Sequence, residues 1–156
     1  MKVGSDFWYG SNCVFDPAHC FLISIGNNVT FSSHVHVLTH DAAPQKFIGY
    51  TKIGRVIIGD NVFVGANTTI LPGVTIGDGV IIGAGSVVTK SCEAGFVYAG
   101  VPAKKICSVE EYISHIDAIS EEARFGEEYT VRDEMDDEKK NEMIKILDDK
   151  VYGLVK

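Results

Sequence analysis

Five histidines punctuate this chain of 156 residues, and three of them, His34, His36 and His40, fall within seven positions. Imidazole titrates near neutral pH, so any of the three could serve as a general base toward a hydroxyl, or as a metal ligand. His40 stands in Thr39-His40-Asp41, just ahead of a stretch of mixed polarity, residues 43–55, that contains Pro44, Gly49 and Gly54. His19 and His115 read as incidental. A base also needs a group that orients its second ring nitrogen. Asp16 is a candidate for that task, although its place beside Pro17 reads more simply as a turn aspartate. The four cysteines, Cys13, Cys20, Cys92 and Cys107, form no Cys-x-x-Cys pair and suit reduced thiols better than disulfides, a zinc cage or a nucleophile. No serine sits in a Gly-x-Ser-x-Gly elbow, so nothing points to an acyl-enzyme.

What must position these side chains is a six-residue beat. From 58 to 93 the chain reads IGDNVF, VGANTT, ILPGVT, IGDGVI, IGAGSV, VTKSCE. The first position is always Ile or Val, and the fifth is small or β-branched: Val62, Thr68, Val74, Val80, Ser86, Cys92. Neither a helix nor an alternating strand has this period; a parallel β-helix of hexapeptides does. First-position aliphatics stack inward coil on coil, the fifth must fit a tight interior, and Gly or Asn accepts the corner conformations. The beat also runs through IGNNVT, FSSHVH and VLTHDA, residues 25–42, but out of phase with the later set. The break lies in 43–55, read as an excursion that leaves the coil and shapes a site. Residues 1–24 are expected to form a first, atypical coil that caps the stack.

After Val101-Pro102 the beat stops. Ser108 with Glu111 three residues on marks a helix start, followed by Val109, Tyr112, Ile113 and Ile116 at helical spacing. A second helix is expected over about 136–151. The organisation expected is therefore a β-helix domain, residues 1–107, and an acidic helical tail, residues 108–156. Charge divides the same way: the net of −7 comes from seven Lys/Arg against six Asp/Glu in 1–107, and seven against fifteen in 108–156. A near-neutral body with an acidic tail argues against nucleic-acid binding. No run of about 18 apolar residues suggests a membrane span. The first ten residues lack the apolar stretch of a secretory signal, so a cytoplasmic location is expected.

The repeat over 58–91, the Thr39-His40-Asp41 step and the closing Ala99-Gly-Val-Pro-Ala-Lys-Lys-Ile106 together resemble the hexapeptide-repeat acyltransferases. The resemblance is strongest to the maltose, galactoside and polysaccharide O-acetyltransferase branch, and it spans about residues 5–107. It implies an all-β fold, a single left-handed coil with three hexapeptides per turn, and a homotrimer with active sites in the grooves between subunits. It singles out His40 as general base for direct transfer from acetyl-CoA to a hydroxyl of a sugar or cell-surface polysaccharide precursor. It places contacts to the pantetheine arm of coenzyme A at Phe63, Gly65, Ala66, Ala84 and Thr89, and contacts to its phosphates or adenine at Lys90, Lys104 and Lys105. Each Gly or Ala in that set would also be demanded by the coil alone. The position where sugar-specific relatives carry an acceptor-binding Asp aligns with Cys20, which leaves the acceptor open. N-acetylation of an aminosugar nucleotide and antibiotic acetylation are alternatives. A γ-type carbonic anhydrase would need a further histidine from a distant coil, and residues 58–93 contain none; no metal is expected. A non-catalytic scaffold is the remaining reading.

Overall fold

The computed structural model describes residues 1–119, 121–130 and 135–156. A first coil is formed by β1 (Lys2–Val3), β2 (Phe7–Tyr9) and β3 (Val14–Phe15). After a short 3-10 turn at Cys20–Leu22, a second follows in β4 (Ile23–Ile25), β5 (Val29–Phe31) and β6 (His36–Val37). The chain then leaves the coil through β7 (His40–Asp41), α1 (Gln45–Ile48) and β8 (Lys52–Ile53). It re-enters for a third coil, β9 (Val56–Ile58), β10 (Phe63–Val64) and β11 (Thr69–Ile70), and a fourth, β12 (Thr75–Ile76), β13 (Ile81–Ile82) and β14 (Val87–Val88). Two longer strands, β15 (Phe96–Ala99) and β16 (Lys104–Ser108), finish this part.

Successive strands go to successive sheets: β1-β4-β9-β12 in the first, β16-β15-β13-β10-β5-β2 in the second, β14-β11-β6-β3 in the third. Every neighbour in the coil pairs in parallel, and only β16 runs back antiparallel along β15. Three faces visited in turn make a parallel β-helix. All twelve first- and fifth-position side chains of the regular repeats are at most 5% exposed. The two polar ones, Thr68 and Ser86, each donate a hydroxyl to the carbonyl of Gly83, so burial leaves neither unpaired. At the first coil the column widens, and Phe7, Phe15 and Phe31 fill it with ring contacts of 5.3–6.1 Å.

The phase break has a simple geometry. Ile58 pairs with Ile76, 18 positions on, whereas Ile25 pairs with Ile58, 33 positions on. One coil thus contains a fifteen-residue insertion, and the inward register is the same on both sides of it. The excursion is a hairpin in which His40 pairs with Ile53 and Asp41 with Lys52, with its neck closed by the Gly54 N–H donating to the Thr39 carbonyl at 2.9 Å. Its span is therefore 40–53, earlier at both ends than the 43–55 expected, because His40 and Asp41 already belong to the hairpin.

Corners settle the role of His34. It lies at φ 61°, between the second and third sheets, in line with Asn12 (φ 58°) and Asn67 (φ 58°). Its Nε2 is 3.1 Å from Asn12 Nδ2. A left-handed corner of this kind favours Asn or Gly, and His is among the few other residues that accept it.

The chain forms two compact units, Met1–Tyr112 and Ile113–Lys156. The helix α2 (Val109–Asp117) opens with the expected reciprocal cap: Ser108 N–H to Glu111 Oε2 at 2.9 Å and Glu111 N–H to Ser108 Oγ at 3.1 Å. Within the second unit, β17 (Arg124–Phe125) pairs in parallel with β18 (Leu154–Val155), and α3 (Asp137–Leu147) is capped by the Asp136 carboxylate. The helix is shorter than the expected 136–151, and the strand pair was not anticipated: two-residue strands set so far apart carry no period. No helix among the described residues is long and apolar enough to cross a membrane.

Candidate active site

Asp16 and His40 meet at the corner between the third and first sheets, on adjacent coils. Asp16 directly follows β3, and its N–H donates to the Val37 carbonyl at 2.9 Å, which fixes it beneath the next coil. The register of β3 on β6 then brings Thr39 and His40 over its side chain. The carboxylate is fully buried. Its Oδ2 accepts from the Thr39 N–H (2.9 Å), the Thr39 hydroxyl (2.8 Å), the His40 N–H (3.0 Å) and His40 Nδ1 (2.5 Å). Its Oδ1 accepts from the Ala18 N–H (3.0 Å) and the His19 N–H (3.3 Å).

Burial alone would push the Asp16 carboxyl up. The hydrogen bonds from the Thr39 backbone, the His40 ring, the Thr39 hydroxyl and the Ala18 backbone outweigh it and hold the group well below the usual carboxylate range. An ionised carboxylate only accepts, so Nδ1 of His40 carries the proton of the bond they share and Nε2 is left as the basic nitrogen. The His40 side chain is 34% exposed. It lines a cavity of about 430 Å³ with Leu38, Lys52, Leu71 and Pro72 among its walls. Asp16 is thus both the turn aspartate its sequence context suggested and the partner that orients His40.

His19, incidental by its sequence context, lies beside this pair. Its ring lies 5.6 Å from that of His40 and 5.9 Å from that of Phe21. Its carbonyl accepts from the Thr39 hydroxyl at 3.2 Å, and its Nδ1 is buried without a hydrogen-bond partner among the described residues. The signal available in the sequence was the step Asp16-Pro17-Ala18-His19, in which an Asx turn brings residue 19 back over the aspartate. By contrast His36 is exposed on β6, and His115 lies in the last turn of α2.

The residues expected to hold coenzyme A fall at different places around the coil. Gly65 and Ala66 follow β10, and Ala84 follows β13, all at the corner between the second and third sheets. Phe63 projects from the second sheet in register with Ile81 and is 43% exposed. Thr89 and Lys90 are exposed just past β14, at the corner that also carries His40. Lys104 and Lys105 lie on β16 opposite Ala99 and Tyr98. Lys105 is already engaged: it pairs with Glu93 and lies 3.7 Å above the Phe96 ring, and the bond to Glu93 raises its ammonium above the ordinary range. Lys90 and Lys104 make no ion pair among the described residues. At Gly65 a Cβ would stand 2.4 Å from the Ala84 backbone nitrogen, so the coil itself requires glycine there.

Residues 55–90 match the family model described as bacterial transferase hexapeptide (six repeats). Among curated proteins the chain is similar to protein CapG of Staphylococcus aureus, 48% identical over 62% of this chain and 58% of that one. It is also similar to the putative acetyltransferase YvoF of Bacillus subtilis, 38% identical over 71% of this chain and 62% of that one. Among solved structures, a maltose O-acetyltransferase from Clostridium difficile superposes with a TM-score of 0.62 at 38% identity, over 69% of this chain and 58% of that one. The chain thus spans about three fifths of the length of these relatives.

Proposed function

We propose that this protein is an acetyl-CoA-dependent O-acetyltransferase acting on a sugar or cell-surface polysaccharide precursor. The observation that carries the reading is the 2.5 Å bond from His40 Nδ1 to a carboxylate buried beneath it, next to the cavity. With Nδ1 committed, Nε2 of His40 takes the proton of the acceptor hydroxyl as its oxygen attacks the thioester carbonyl. The tetrahedral intermediate collapses, the C–S bond breaks, and the same nitrogen returns the proton to the departing thiolate. No covalent enzyme intermediate is needed. The relatives named as acetyltransferases support the reaction class, and the maltose O-acetyltransferase supports a saccharide hydroxyl as acceptor.

The reading extends to a left-handed coil that assembles as a homotrimer. The pantetheine contacts expected at Gly65, Ala66 and Ala84 occupy one corner of the coil and His40 another, so a complete site calls for corners from two copies. Acetyl-CoA is the acyl donor, with Phe63 and Thr89 along its arm and Lys90, Lys104 and Lys105 toward its phosphates.

The test is thiol release from acetyl-CoA across a panel of sugars, sugar nucleotides and amines. His40→Ala should cut turnover by roughly 10²–10⁴-fold with the fold intact. Full activity in that variant sinks the mechanism, and exclusive transfer to amines would move the chain to the N-acetyltransferases.

A further inference from the structure

We propose that Asp16, His19 and His40 form a binding site for a divalent cation of the zinc class, which on binding takes the place of the proton shared by Asp16 and His40. The carboxylate and the two imidazoles each offer one ligand atom, and these three atoms lie within 4.8 Å of one another. Ligands about a tetrahedral zinc stand about 3.4 Å apart, so side-chain shifts of about an ångström open the 2.5 Å Asp16–His40 pair and draw the wider separations in. Two imidazoles and one carboxylate suit Zn²⁺ or Co²⁺; Mg²⁺ and Ca²⁺ prefer all-oxygen shells.

Two further observations point to a cation. Nδ1 of His19 is buried with no hydrogen-bond partner among the described residues, a condition that native proteins seldom leave unanswered. The Thr39 hydroxyl has one proton and two acceptors, Asp16 Oδ2 at 2.8 Å and the His19 carbonyl at 3.2 Å. It can turn wholly to the carbonyl when a cation occupies Oδ2. The Thr39 and His40 N–H groups then remain on the carboxylate and orient it, as outer-shell donors do in metal sites. The proton that Nδ1 carried moves to Nε2 as the metal–nitrogen bond forms, so the ring stays neutral and Nε2 is no longer free to act as a base. Binding stands on this geometry alone. That the bound cation shuts off acetyl transfer, by taking His40 from its task, rests on the function proposed above.

The experiment uses the untagged chain of 156 residues, stripped with chelator and titrated with Co²⁺ alone. The expected result is the visible absorption of low-coordinate cobalt with nitrogen ligands, saturating at one ion per chain and erased by Zn²⁺. His19→Ala and His19→Gln, each checked for fold by circular dichroism, should weaken binding by at least on the order of 10–100-fold. His36→Ala should leave it unchanged. Absence of the spectrum in the wild type, or equal affinity in both His19 variants, overturns the proposal. Zinc should inhibit transfer in the wild type and lose that effect in His19→Ala. If the cobalt spectrum forms while metal-free protein transfers no acetyl group to any acceptor, the metal site stands and the transferase reading falls.

Discussion

Six donors converge on the carboxylate of Asp16, two on Oδ1 and four on Oδ2, and four of the six are backbone amides. Such a shell stabilises the charged form, and its effect on stability has a definite sign. The folded-state carboxyl titrates below the free value of about 3.9, so its contribution is fully present above that pH and is lost as pH falls toward the folded value. Thermal melts of the wild type should therefore decline more steeply on acidification below about pH 4 than those of Asp16→Asn; parallel curves would refute the assignment. The same variant should lower kcat by roughly 10²–10⁴-fold with little change in KM, because the imidazole loses the acceptor that fixes its tautomer.

Along the elements, tolerance is set by how closely coils stack. Gly65 shows this: a Cβ there would stand 2.4 Å from Ala84 N and 2.8 Å from Ala84 Cα, both backbone atoms that cannot swing aside. Gly65→Ala should cost about 1–3 kcal/mol in denaturant unfolding, and an unchanged midpoint would show that the coil spreads to admit it. The element scale is also where the sequence was most readable. Periodicity reports burial directly, so Ile58 through Cys92 could be assigned inward from spacing alone. The cap at Ser108–Glu111 was legible for a similar reason, because it joins residues three apart. The Asp16–His40 bond was not, because it spans 24 positions and its register depends on how the atypical first coil seats beneath the second. His19 escaped for the same reason, and β17–β18 because two-residue strands carry no rhythm.

At the scale of the whole molecule, one coil presents the proposed chemistry on different edges. His40 lies between the third and first sheets, and Gly65, Ala66 and Ala84 lie between the second and third. A shared site makes a sharp prediction. His40→Ala and Ala84→Trp, each inactive alone, should regain measurable activity when unfolded together and reassembled, since mixed assemblies contain grooves with both corners intact. No recovery, together with sedimentation as a stable monomer, would place the whole reaction within one chain.

The insertion between Thr39 and Gly54 leaves the ladder in the same inward register on both sides, and its neck is closed by the Gly54–Thr39 backbone bond and the short β7–β8 pair. Closing a longer loop costs only about 0.6 kcal/mol per doubling of length, so the scaffold scarcely registers what hangs there. That makes the excursion an interchangeable cassette. Segments of other lengths and compositions could be grafted between Asp41 and Lys52, with the β7–β8 pair retained, while the imidazole of His40 at the base of the neck keeps its station.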